Sequence, residues 1–249
     1  MSANEIGAVV RLNTTLFARE PGPIVSRICM PLVLLTVIRP LYTAALGSAD
    51  GTAGAVAGML VTFSLLGMSI VGSSILLERV WHTAERLRAT PTRSLTVLAG
   101  KAIPVLGMLM LQQATILAYG CLVFGLHIAS LPLLAATVVV WSSTLTALGA
   151  LLGTLARSGG ALSAMVDVGS LTVTGLGGAF VPLTLLPTWA RAVAPISPGY
   201  WAMRTLRGAL DGNAYQASTG WAALSGFAIV AASVAGRRLR RGWGRAGAA

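Results

Sequence analysis

The chain has 249 residues, 55% of them hydrophobic and only 10% charged, and its mean hydropathy is +0.78. A soluble domain is about 25% charged, so this chain has too few charges to cover a water-exposed surface. The net charge of +11 would suggest nucleic acid in a soluble protein. Here the basic residues sort with the loops between apolar runs, and nucleic acid is not an expected partner.

In chain order, residues 5–20, "EIGAVVRLNTTLFARE", place Ile6, Val9, Val10, Leu16 and Phe17 on one helical face, with Arg11, Thr15 and Arg19 elsewhere. Ser2 and Glu5 have capping-box spacing, and Pro21 and Pro23 stop the helix. This pattern predicts an amphipathic helix lying in the membrane interface, with anchoring alone the simpler reading of it. With Glu5 and Glu20 ahead of the first long apolar run, the start does not read as a cleaved signal peptide.

Six apolar spans follow, near 24–45, 55–77, 102–125, 132–155, 161–182 and 217–236, each close to the roughly 20 residues a bilayer requires. The expected fold is an all-α integral membrane protein, a single domain over 1–249. Cys29 and Cys121 both sit in apolar runs and read as small packing residues. Gly54 and Gly58 form a GxxxG in span two, which suits close packing within one chain as well as dimerisation. Gln112 and Gln113 in span three read as partners in interhelical hydrogen bonds.

Arginine and lysine set the orientation. With the N-terminus inside, the cytoplasmic segments hold fourteen of the eighteen basic residues, and the outer ones hold only Arg191, Arg204 and Arg207, with Arg39 inside span one near its outer end. Both termini are then cytoplasmic, and the basic tail "RRLRRGWGR" is a topology signal.

Two segments stand apart. The first, "LLERVWHTAERLRATPTRSLTVLAGK" over 76–101, carries seven charges, whereas the next 76 residues carry two, Arg157 and Asp167. Residues 78–90 have helical spacing, with Glu78, His82 and Glu85 on one face, and Thr90-Pro91 ends the pattern. Periodicity leaves open whether this is a docking element or a solvated hairpin whose charges fix topology. The second, 183–215, sets Trp189, Tyr200 and Trp201 among prolines and short apolar runs, as an interfacial aromatic belt would.

Asp167 lies about two turns into span five, and an acid inside a membrane is a functional candidate. It is expected either to pair with Arg27 at similar depth in span one or to stand at a substrate entrance. Seven acids and two histidines show no metal-ligand spacing, no G-x-S-x-G and no H-E-x-x-H, which argues against a membrane-embedded enzyme. A single intramembrane acid is also few for an ion- or proton-coupled carrier. The one lysine, Lys101, sits in "LTVLAGKA", with Leu95 and Ala102 where a phosphate-binding loop needs glycine and Ser/Thr.

The charged segment resembles the cytoplasmic loop of type-2 ABC exporter permeases, especially the daunorubicin/doxorubicin-resistance branch. That family's pattern is E-R, then G-T-x-E-R-L-x-x-T-P, then a span opening with G-K. Glu78-Arg79, Thr83, Glu85-Arg86-Leu87, Thr90-Pro91 and Gly100-Lys101 match it, while His82 replaces the glycine. Pro187, Trp189, Pro198, Tyr200, Leu206-Arg207 and Gly212 resemble the family's outer segment. The resemblance implies that 78–91 is a coupling helix, gripping an ATPase subunit through Glu78, Arg79, Glu85, Arg86, Thr90 and Pro91. It implies that 183–215 forms short re-entrant helices at an exit, with Trp189, Tyr200 and Arg207 in it. It further implies two ATPase copies that use ATP and Mg, no cofactor on this chain, and a second permease chain, identical or related. Amphipathic drugs, natural products or lipids would be the cargo, and the bacterial plasma membrane the location.

Overall fold

The computed structural model describes the backbone of residues 21–80 and 94–242 and the side chains of 27–77 and 105–238. Eight α-helices occur among the described residues: α1 Pro21–Leu46, α2 Ser48–Val80, α3 Ser94–Phe124, α4 Leu131–Leu155, α5 Gly159–Leu176, α6 Thr188–Val193, α7 Pro198–Leu210 and α8 Ala214–Gly242. Short 3-10 turns at Leu183–Leu185 and Ala194–Ile196 flank α6. No strand occurs among the described residues. The interfacial helix expected over 5–20 lies outside them.

Five helices are long and apolar enough to cross a membrane, over Arg27–Leu46, Ser48–Leu77, Val105–Phe124, Leu131–Leu155 and Ala214–Arg238. The end of the expected fifth span is corrected. The span was to run to 182, but α5 ends at Leu176 and is not among the five. Asp167, four serines and threonines and four glycines dilute its apolar content. Gly177 and Gly178 then end it, and Gly178 takes a left-handed φ of 77° that a side chain would resist.

Helix α2 is the axis of the bundle. It is 61% buried over its apolar window, against 17% for α1 and 22% for α8, and it packs on α1, α3, α4, α5 and α7. Small residues let neighbours come this close. A Cβ on Gly149 would meet the Val71 Cβ at 2.8 Å, and one on Gly153 would meet the Gly72 carbonyl oxygen at 2.5 Å. The GxxxG is spent inside the chain. Gly54 faces Tyr42 and the Arg207 guanidinium, and a Cβ on Gly58 would strike the Ala179 carbonyl oxygen.

Polar side chains stitch the helices across their apolar faces. Trp141 Nε1 donates to Ser64 Oγ (2.8 Å), Gln113 Nε2 to Ser142 Oγ (2.8 Å), Trp221 Nε1 to Thr137 Oγ1 (3.0 Å) and Thr144 Oγ1 to the Leu224 carbonyl (3.2 Å). Gln112 Nε2 reaches the Arg27 carbonyl at 3.2 Å. Both glutamines therefore join helices as expected. Such bonds average about 0.6 kcal/mol in membrane bundles, so they fix register more than they add stability. Cys121 packs against the core, but Cys29 is exposed and is not a packing residue within this chain.

Three connections meet at one end of the bundle: the turn at Gly47, residues 125–130 and residues 211–213. The Ala129 N–H donates to the Leu210 carbonyl (2.9 Å), tying two of them together. The C-terminal end of α2, the start of α3 and the 156–158 connection lie at the opposite end.

Candidate functional site

The segment expected to couple to an ATPase begins on α2. The backbone helix runs unbroken through Val80, so Glu78 and Arg79 continue span two, and no break separates them from it. Their side chains, and all of Glu85, Arg86, Thr90 and Pro91, lie outside the described residues. On the far side, α3 starts at Ser94 and already includes Gly100 and Lys101.

Arg27 and Asp167 are not brought together. The Arg27 Nη2 donates to Ser69 Oγ (3.0 Å), on the face of α1 turned toward α2. The buried stripe of α5 is Leu162, Val166, Ser170 and Thr174, one residue every four. Asp167 falls outside that stripe and is exposed, beside Met165, Val168 and Leu171. Among the described residues no carboxylate lies within 4 Å of Arg27. Within one chain, helical phase keeps the two apart although their depths are similar.

The 183–215 segment is anchored by residues near its two ends. Tyr42, 0% exposed, donates its hydroxyl to the Ala179 carbonyl at 2.7 Å and holds the chain that leaves α5 against α2. Ser197 caps α7, accepting from the Gly199 N–H (3.2 Å) and donating to the Val173 carbonyl (3.3 Å), with Pro198 at the first helical position. Met203, Leu206 and Leu210 then bury one face of α7. Trp189 is 66% exposed and unengaged with the core, whereas Trp201 Nε1 donates to the Pro195 carbonyl (2.8 Å). Tyr200 stacks edge-on against Trp201, and the Arg204 guanidinium lies 5.6 Å from that indole. Arg207 is half-buried beside Gly54, and its Nε has no hydrogen-bond partner.

Asp211 ends α7. Burial, then the Asp50 carboxylate, push its carboxyl above the usual carboxylate range, and the Arg207 guanidinium pulls the other way. A carboxyl raised in the folded state stabilises the fold below its unfolded pKa of about 3.9, and that contribution fades as pH rises through the raised value. The chain should therefore gain melting temperature on acidification from neutral pH to about pH 4 relative to Asp211→Asn, in which this dependence is absent. Parallel melting curves of the two proteins across that window would contradict the account.

Asp50, His127 and Asp211 escaped the sequence reading because each stands alone, Asp50 at the start of α2 and the other two in connections. Their shared end of the bundle was available from the alternation of helix direction, since all three turns fall after an odd number of crossings or close the outer segment.

An all-helical bundle, a buried central helix lined by small residues and polar stitches between spans define a multi-pass membrane protein. The family model described as ABC-2 type transporter matches residues 4–210. The chain belongs to this family, whose members are the membrane components of ABC transporters and typically work with an ABC ATPase. As a transport membrane subunit it is not itself the ATP-hydrolysing component. No curated protein matches the chain.

Proposed function

We propose that the chain is the permease subunit of an ATP-driven exporter, driven by a separate ATPase that docks on residues 78–91. Two ATPase copies and two permease chains, identical or related, form the working unit. ATP and Mg are used by the ATPase, and this chain holds no cofactor. The cargo is an amphipathic drug, natural product or lipid, as in the drug-resistance branch that the loop motif resembles. The bacterial plasma membrane is the proposed location, with both termini cytoplasmic and 183–215 outside as re-entrant helices. Helix α5 is the sixth crossing, completed by the glycine-rich stretch after it.

The observation that best supports this reading is Asp167. An acid held inside the bilayer is costly against lipid, yet this one points away from the chain's own core. A second permease chain, with a polar pathway between the two, gives it a place. With no partner on Arg27, Asp167→Asn should leave the melting temperature unchanged to within about 2 °C, the shift from less than ~1 kcal/mol in a chain this size. It should lower export of cationic compounds about tenfold relative to neutral ones, the effect of ~1.4 kcal/mol. Arg27→Gln should not compensate. A fall in stability that Arg27→Gln restores would instead establish the pair, and would remove the pathway argument.

A further inference from the structure

At the end of the bundle opposite the proposed ATPase contact, the start of α2, residues 124–129 and the end of α7 line a half-open cavity of about 510 Å³. Its charged and aromatic lining is Arg39, Asp50, Phe124, His127 and Asp211, with Thr52 on its wall. The volume lies in the usual range for small-ligand sites, about 300–1,000 Å³.

The guanidinium in this cavity is fixed. Arg39 Nε donates to Thr52 Oγ1 (3.1 Å), and its carbon lies 4.7 Å from the Phe124 ring centroid. Those contacts use Nε and one face, and its two terminal nitrogens make no hydrogen bond to the described residues. The two carboxylates, Asp50 and Asp211, are near enough to repel each other. Among the described residues neither comes within 4 Å of Arg39, although all three line one concavity. Opposite charges sharing a cavity without meeting leave a gap that a ligand with both charges would fill. A simple anion would face two carboxylates, and a simple cation would face Arg39.

The charges also differ in depth. Arg39 is held at the level of Thr52, two residues further along α2 into the bundle than Asp50, or about 3 Å at 1.5 Å per residue. The guanidinium is thus the deeper charge and Asp50 the shallower one. A zwitterionic phospholipid has the same order, its phosphate next to the glycerol and its ammonium further out. The same helices, α1 and α3, carry exposed Val37, Leu41, Leu122 and Val123 within two residues of Arg39 and Phe124, apolar surface on which acyl chains can lie.

We propose that this cavity binds the head group of a zwitterionic phospholipid, with phosphate on Arg39 and ammonium between Asp50 and Asp211. The inference requires only that the chain spans a membrane, and it stands apart from the ATP-driven reading. The test is hydrogen exchange of the detergent-purified full chain with short-chain phosphatidylethanolamine, phosphatidylglycerol or free phosphoethanolamine at one concentration. Phosphatidylethanolamine should slow exchange around 47–53 and 207–213 about tenfold, the effect of ~1.4 kcal/mol. Phosphatidylglycerol, which lacks the ammonium, and free phosphoethanolamine should not. The double variant Asp50→Asn, Asp211→Asn should lose this protection, and Arg39→Gln should reduce it. Equal protection by the two lipids would overturn the proposal, and needs only the unaltered chain should a variant fail to fold. Equal protection by free phosphoethanolamine would overturn the lipid as ligand in favour of a soluble zwitterion.

Discussion

Reversing Glu85 and Arg86 together, to Arg and Glu, is expected to abolish coupled export while leaving the chain folded and inserted. The two residues stand in the segment "TAERLRATP", flanked by spans and followed by a proline stop. The span hydrophobicity that drives insertion is untouched by the change, and so is the number of basic residues on that side. What changes is the charge pattern offered to a partner. Losing one member of a buried interfacial charge pair costs about 2–5 kcal/mol, whereas a rim charge costs little. Even the lower figure weakens binding roughly thirtyfold. The α2 helix makes such a loss consequential, since it runs unbroken from the bundle centre through Val80. A rigid helix moves as a body, so a push at its inner end reaches all five helices packed on it. The matched control is Arg240→Glu with Arg241→Glu in the basic tail, which should keep ATPase co-purification and vesicle transport. If both double variants transport like the unaltered chain, residues 78–91 are a topology signal only.

The largest expected loss of stability lies at Gly58. A Cβ there would overlap the Ala179 carbonyl oxygen and approach Tyr42 Oη at 3.3 Å. These are the two atoms joined by the 2.7 Å hydrogen bond that seats the outer segment. Gly58→Val must therefore displace backbone as well as break the bond. Overpacking of a core typically costs about 1–3 kcal/mol and sometimes more, and the upper end is expected where the neighbour is a main-chain carbonyl. At Gly54 the nearest atom is the tip of the Arg207 side chain at 2.5 Å, which can swing aside, so Gly54→Ala should be milder. Gly226, exposed on α8 with no atom within 4 Å of a Cβ, serves as control. Gly226→Ala should be neutral or slightly stabilising. Melting curves in detergent rank the three, and equal melting of Gly58→Val and Gly226→Ala would contradict the close approach.

Hydropathy made five of the helices legible, and it missed their ends in a consistent direction. Span two was expected over 55–77 and is helical over Ser48–Val80; span three was expected from 102 and begins at Ser94. Apolar runs report the hydrocarbon layer, while helices continue past it until a glycine, proline or cap stops them. The helix of span five ends early for the opposite reason. Its apolar residues continue to 182, but Gly177 and Gly178 end the helix first, a backbone effect that a hydropathy window averages away. The glutamine bridges were readable because an amide inside a membrane has few alternatives to a neighbouring helix. Arg27 and Asp167 do not meet within one chain, because similar depth says nothing about which way a helix turns its faces. Asp50, His127 and Asp211 are more than 70 residues apart in the chain, Asp50 in the first turn of α2 and the other two in different connections. Only the packing of α1, α3 and α7 around α2 sets them on one cavity.

The most direct test of the transport assignment uses inside-out vesicles carrying this chain with or without its ABC ATPase, loaded with a fluorescent amphipathic cation. The account predicts ATP-dependent uptake only when both proteins are present, lost when the ATPase cannot hydrolyse ATP and lost again with the Glu85/Arg86 reversal. Uptake by this chain alone, driven by an ion gradient and indifferent to ATP, would contradict it.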